Sequence, residues 1–467
     1  MRLTMSSYAL VAAVVLALSF VDARPLRAKR SASGMVTLPM RRIERNGHIH
    51  EELRHQQQIN RGQRLLARAA GLPEPSDVEL RANLERRALY VDTPALAKRY
   101  NIPSSTELIP AAEVSEVDGL TSSLIVGDDV TSTSLAKDSS RLEVDGSDTS
   151  FVTAVSIGTP ARQFIIILDS GSGDFWVGSD TCKSLSGGGC GNHTALGEAS
   201  SSSFVNTKKT WSVTYGSGAA AGDLVQDTVI LAGMKLENHV FGIAHNQSES
   251  FTKDRDADGL MGLGKAGLSN QNTPTPVESL AKAGLINAAI TSYRLPRLID
   301  QIDNGEVTFG GLDESKFDTS SLVTLNATNS AFWVINMETV TVNGKEISIA
   351  GKTALMDTGT TLLGVPPKDA AAIHAKIPGA QLLNSGQYKV PCNTTASVAL
   401  TFRGTSFPID KKDLPFASFG RTTGDCQSGI SSMIGTSNPE QWLVGDTFLS
   451  RCIFRLMLMI TPSRWRN

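Results

Sequence analysis

From Phe151 onward the apolar positions come in short β-branched and aromatic runs, broken every few residues by Gly, Asn and Asp. That texture predicts strands. They are expected over residues 151–157, 164–168, 211–215, 227–231, 307–309 and 332–342. Asp303-Asn304-Gly305 and Val342-Asn343-Gly344 carry the chemistry of tight hairpin turns. Helical patches are clearest at 276–284 and 368–375. The pattern predicts an all-β, mostly antiparallel, two-lobed body with few short helices.

Two of the predicted strands end alike. Ile166-Ile167-Leu168-Asp169-Ser170-Gly171-Ser172 and Ala354-Leu355-Met356-Asp357-Thr358-Gly359-Thr360 are near-copies. One such motif alone reads as a turn. Two, half a large body apart, suggest a duplicated lobe that brings one carboxylate from each half to a shared seam. Carboxylates about 4 Å apart repel by about 4 kcal/mol at an effective dielectric near 20. That corresponds to about three pK units. The pair therefore holds one proton over a broad acidic range. Its ionised member can take a proton from water while the other donates to a carbonyl oxygen. The hydroxyls of Ser170, Ser172, Thr358 and Thr360 can fix the carboxylates, and Gly171 and Gly359 let the backbones approach.

Charge divides the chain. Residues 24–100 carry 16 Lys/Arg against 8 Asp/Glu, whereas those after position 100 carry 27 against 37. A basic leader before an acidic body reads as a prosegment lying on its own domain by charge complementarity. Arg2, an apolar run from Tyr8 to Val21 and small residues near Ala23 predict a signal peptide over 1–23. The run is short for a membrane span, so no stable membrane association is expected. Nucleic acid is not an expected partner of a secreted chain. Residues 24–140 are assigned to prosegment and linker, with the mature start between 100 and 150. The body divides into lobes at 141–322 and 323–467.

Five cysteines in a secreted chain imply disulfides with one left over. Cys182 and Cys190 are near enough to close a small loop, and Cys392 with Cys426 would close a larger one. Cys452 is then unpaired. Asn192, Asn246, Asn326 and Asn393 each open an N-x-Ser/Thr sequon, expected to be glycosylated. The expected location is extracellular, with the vacuole as the alternative. No metal-ligand cluster is visible, and no cofactor is expected.

Residues 150–450 resemble the pepsin-type aspartic endopeptidases, in the style of the secreted fungal enzymes. The first loop continues to Phe175-Trp176-Val177 and differs from the family only in Ser170 where Thr is usual; the second loop matches unchanged. Val213-Thr214-Tyr215-Gly216-Ser217-Gly218 resembles the flap, with Tyr215 bonding toward Trp176. Asp258-Gly259-Leu260-Met261-Gly262-Leu263-Gly264 and Trp442-Leu443-Val444-Gly445-Asp446 resemble the strands beneath each loop. The resemblance implies a bilobal fold of two six-stranded-type β lobes and a monomer. It also implies catalytic Asp169 and Asp357, a flap and substrate-binding surface at Tyr215, Gly216, Ser217 and Trp176, and a main specificity pocket at Phe251 and Leu260. Protein or peptide substrates and the chain's own prosegment are the implied partners, and a large apolar residue is expected before the scissile bond. Ser217 offers no charge to a lysine there. The family's prosegments begin with a strand like Val36-Thr37-Leu38-Pro39-Met40 and later set a cation on the aspartates. Lys98 or Arg99 is expected in that role, though the same dipeptide reads equally as a processing site.

The end of the chain departs from the family. After Leu449 it reads Cys452-Ile453-Phe454-Arg455-Leu456-Met457 and continues to Asn467 without the usual last strand, as a shifted reading frame would produce. A missing strand there would weaken folding. A serine hydrolase lacks its elbow here, and a metallopeptidase its His-Glu-x-x-His. The remaining rival to catalysis is a pepsin-like fold kept as a binding or inhibitor protein, or a frameshifted product that does not fold.

Overall fold

The β-branched runs of the first half pair into one large sheet. The computed structural model describes residues 29–30, 34–44, 51–88, 149–215, 218–252, 257–296, 305–328, 330–347, 349, 351–383, 385–418, 424–433, 438–450 and 452–458. The expected signal peptide, Lys98, Arg99, residues 101–148, Gly216, Ser217 and the tail after Leu458 lie outside them.

The sheet runs from Phe454–Leu458 through Ala289–Arg294, Gly305–Phe309, Val36–Glu44 and Thr149–Ile157 to Arg162–Asp169. It continues through Gly259–Gly262, Phe175–Ser184, Met234–Gln247, Gly218–Leu231 and Val205–Tyr215. Ser156 and Ile157 also pair with Ile230 and Val229, which curls the first lobe closed. The second half divides its strands among sheets of five, four and four. The predicted strands over 151–157, 164–168, 211–215, 227–231 and 307–309 all fall inside observed ones. Helices Pro276–Lys282 and Pro367–His374 match the two predicted patches. The first begins with a capping box between Thr275 and Glu278 and a proline at its first turn.

The single strand expected over 332–342 is in fact two. Val334–Met337 pairs with Lys352–Met356, whereas Thr339–Val342 pairs with Lys345–Ile347 and Val398–Phe402. Glu338 is the break: its amide donates to Thr401 O at 3.0 Å, and its carboxylate accepts from Gly404 N at 2.8 Å. Asn343 (φ 53) and Gly344 (φ 72) then form the predicted hairpin turn.

The strand Val36–Glu44 sits between Gly305–Phe309 and Thr149–Ile157, with Val36, Leu38 and Met40 buried. The helix Glu51–Ala69 follows and buries Ile59, Leu65 and Leu66 against Phe332, Leu355, Leu362, Met433 and Leu443 of the second lobe. Each such burial contributes about 1.5–3 kcal/mol. Gly62 makes the close approach possible, because a Cβ there would meet Met433 Cε at 2.8 Å. Cys182–Cys190 and Cys392–Cys426 form the two expected disulfides; Cys452 belongs to neither and is half-buried. Beyond it, Phe454–Leu458 pairs with Ala289–Arg294 and stacks Phe454 on Tyr293 at 5.0 Å. The unusual sequence therefore does supply an edge strand as far as Leu458. Among the described residues, no helix is long and apolar enough to cross a membrane.

Candidate active site

Each aspartate is delivered by a strand with the same surroundings. Arg162–Asp169 ends on Asp169 and runs parallel to Gly259–Gly262, with Asp169 opposite Gly262. Lys352–Met356 stops one residue short of Asp357 and runs parallel to Gln441–Val444. In each lobe the supporting strand then pairs antiparallel with a third, Phe175–Ser184 or Leu363–Val365. The repeated motif thus reflects a repeated three-strand frame.

The two turns lock to each other across the seam. Ser170 N donates to Thr358 Oγ1 at 3.1 Å, and Thr358 N donates to Ser170 Oγ at 2.9 Å. Within each turn the carboxylate is held in matching fashion. Asp169 accepts from Gly171 N at 2.9 Å and Ser172 Oγ at 2.7 Å. Asp357 accepts from Gly359 N at 2.9 Å and Thr360 Oγ1 at 2.5 Å. The two glycines are steric requirements. A Cβ on Gly171 would meet Asp357 Oδ1 at 2.6 Å, and one on Gly359 would meet Asp169 Oδ1 at 2.8 Å. Both aspartates are buried, at 3% and 1% exposure. Burial, and then the charge of Asp169 beside it, raise Asp357 to about 6, against the opposing pull of Arg61 and the Thr360 and Gly359 hydrogen bonds.

Tyr215 ends the strand Val205–Tyr215, and its hydroxyl accepts from Trp176 Nε1 at 2.9 Å. Phe251 meets Trp176 and Tyr215 edge-on at 5.1 and 5.8 Å, and Leu260 belongs to the same buried cluster. The structure thus joins the two supporting turns at the aspartates and clusters Tyr215 with Trp176 and the two expected pocket residues, Phe251 and Leu260. Asn192, Asn246, Asn326 and Asn393 are all exposed.

Sequence reasoning missed the cations. Arg61 Nη2 lies 4.0 Å from Asp169 Oδ1. Arg64 Nη1 donates to Tyr215 O at 3.2 Å, and Arg68 Nη2 to Thr214 O at 2.8 Å. The arginine spacing at 61, 64 and 68 was the available signal, since it places all three on one face of a helix. Among the described residues the cation at the aspartates is therefore Arg61, some 37 positions before the expected dipeptide.

Comparison with known proteins agrees with this frame. The family model "Eukaryotic aspartyl protease" matches residues 150–456. The chain belongs to that family. It is 35% identical over 312 residues to aspartic-type endopeptidase ctsD of Aspergillus fumigatus, a match covering 66% of this chain and 63% of the relative. It is 33% identical over 324 residues to major aspartyl peptidase 1 of Cryptococcus neoformans, covering 65% of each. To pepsin A of Bos taurus it is 31% identical over 307 residues, covering 65% of this chain and 80% of the relative. The chain thus spans a little under two thirds of the length of the two fungal relatives.

Proposed function

We propose that this protein is a secreted aspartic endopeptidase, made as a zymogen and active at acid pH through Asp169 and Asp357. The observation that carries the reading is the pair of buried carboxylates held by mirrored hydrogen bonds across one seam. One carboxyl group keeps a proton and the other is ionised. The ionised group removes a proton from a water as its oxygen attacks the peptide carbonyl carbon, and the protonated group donates to the carbonyl oxygen. Collapse of the resulting tetrahedral species breaks the C–N bond, the amine taking up a proton as it leaves. No side-chain nucleophile takes part.

An extended peptide would lie beneath the Tyr215 strand, its backbone held by strand-like hydrogen bonds. The apolar cluster of Trp176, Tyr215, Phe251 and Leu260 supports a preference for a large apolar residue before the scissile bond. In the described state the helix Glu51–Ala69 occupies that position, with Arg61, Leu65 and Arg68 lining the space at the aspartates. This supports an inhibitory role for the leader, relieved by cleavage between residues 100 and 150. The exposed sequon asparagines support glycosylation.

The test is Asp169→Asn and Asp357→Asn, assayed on denatured casein at acid pH with and without pepstatin. Each variant is expected to fold and to lose about 10³-fold or more of its activity. Normal activity in either variant refutes the assignment.

A further inference from the structure

The hairpin that carries Tyr215 pairs with a third strand along part of its length. Val205–Tyr215 runs against Gly218–Leu231, with Thr214 opposite Ala219 and Tyr215 opposite Gly218. Met234–Gln247 pairs with the second of these strands as far as the rung of Ala220 and Gln247. Ser248 then carries the pairing one rung further. Its N–H donates to Ala219 O at 2.9 Å, and its Oγ accepts from Ala219 N at 2.7 Å.

In an antiparallel pair, opposed residues can exchange both of their backbone hydrogen bonds. At this rung the backbone makes one of the two. Ser248 O accepts instead from Phe251 N at 3.0 Å and Thr252 N at 3.2 Å, the bonds that close the helical turn Glu249–Thr252. The hydroxyl stands in for the carbonyl that the turn has claimed, a local side-chain substitution open to serine. One residue thus ends a strand, starts a turn and keeps the hairpin stem paired. The turn sets Phe251 edge-on to Trp176 and Tyr215, so the stem and the ring that touches its tyrosine share an anchor. The fit is close: a Cβ on Gly218 would collide with Ser250 Oγ and come within 2.9 Å of Ser248 Cβ. The helix Glu51–Ala69 holds the same stem through its other strand, from Arg68 to Thr214 O and from Arg64 to Tyr215 O. The Ser248 tie does not depend on that helix.

We propose that Ser248 is a positioning residue for the hairpin that closes over substrate. Its hydroxyl fixes the stem at Ala219 and so sets where Tyr215 comes to rest above the seam once the leader has gone. The inference rests on the endopeptidase reading of Asp169 and Asp357. Without the hydroxyl the Ala219 N–H loses its acceptor, and the stem frays back to the Ala220 rung. The closed arrangement that a bound peptide needs is then less populated.

The test compares acid-matured wild type, Ser248→Ala, Ser248→Thr and Asn246→Gln. Ser248 also completes the sequon Asn246-Gln247-Ser248, so Ser248→Ala removes a glycan acceptor together with the hydroxyl. Ser248→Thr keeps both, and Asn246→Gln removes the acceptor alone. Ser248→Ala should lower kcat/KM on a peptide substrate about 3- to 10-fold, the loss of one hydrogen bond from the closed state. The other two variants should stay within about twofold of wild type. Amide exchange gives a readout that needs no activity. Peptides covering residues 218–224 should exchange about threefold faster or more in Ser248→Ala, with those of the second lobe unchanged. Gly218→Ala, which pushes the stem off the turn with the hydroxyl in place, should reproduce both effects and serves if Ser248→Ala fails to fold. Unchanged exchange over 218–224 in both variants, or equal kinetics in Ser248→Ala and Ser248→Thr, overturns the proposal. A wild type that cleaves no peptide, while Ser248→Ala still speeds exchange at the stem, upholds the tie and counts against the proteolytic reading.

Discussion

Arg61 stands against Asp169 with Nη2 4.0 Å from Oδ1, and only 14% and 4% of the two side chains are exposed. Gly359 makes the approach possible, since a Cβ there would collide with the Arg61 guanidinium. The contact joins a residue of the N-terminal helix Glu51–Ala69 to the seam between the two aspartate turns, the proposed place of substrate. At 4 Å and an effective dielectric near 20 the attraction is about 4 kcal/mol, before the cost of removing both charges from water.

Arg61→Met should therefore loosen the leader. We expect a net loss of about 1–2 kcal/mol in leader docking, which raises the undocked fraction about 5- to 30-fold. The variant should mature at higher pH than wild type. N-terminal sequencing of protein held between pH 5 and 7 checks this, and an unchanged maturation profile would contradict it.

Asp357 makes stability depend on pH. Its folded value, about 6, lies above its ordinary 3.8, so the fold favours the protonated carboxyl. Stability from this group is fully present below about 4 and is lost as pH rises through 6. A displacement of about two units corresponds to about 3 kcal/mol. Thermal melts of wild type from pH 4 to 7 should show a falling Tm, and Asp357→Asn should flatten the curve. Parallel curves would mean that the carboxyl is not the source.

The cross-seam hydrogen bonds should also carry measurable stability. Thr358→Val keeps the shape but strands the buried Ser170 N–H, which now donates to Thr358 Oγ1 at 3.1 Å. The expected loss is about 1–3 kcal/mol, read from urea melts. Ser170→Ala removes the reciprocal acceptor of Thr358 N and should cost a similar amount.

The features legible in the sequence were local or repeated. Asp169 and Asp357 announced themselves because their motifs are copies, and the hairpin at Asn343-Gly344 because its turn demands those residues. The break at Glu338 was not legible: the strand divides because Thr401 and Gly404, over 60 residues away, claim the Glu338 backbone and side chain. Arg61 was hidden for a similar reason. Its helix has an ordinary basic face until the second lobe is folded beneath it, and only then does one arginine differ from the others.

His55 should act as a second acid sensor, separate from the aspartates. It sits near the start of the helix Glu51–Ala69 with no exposed surface, its Nε2 2.8 Å from Ser431 Oγ and its ring 6.0 Å from Phe416. Burial first, and then the positive charge of Arg87 on the helix Asp77–Ala88, hold its pKa well below 6.5, against a smaller opposing contribution from Ser428. Above pH 6.5 the ring is neutral whether the leader is docked or released, so docking has its full strength. Below 6.5 the released histidine takes up a proton that the docked one resists. Docking then weakens by about 1.4 kcal/mol for each pH unit, until the docked value is reached. His55→Gln keeps a hydrogen-bonding group for Ser431 and removes the titration. In an Asp357→Asn background, which cannot cleave itself, release can be followed by susceptibility of the leader to an added protease. The His55→Gln form should release at lower pH than its parent. Coincident release curves would show that His55 contributes nothing to the acid response.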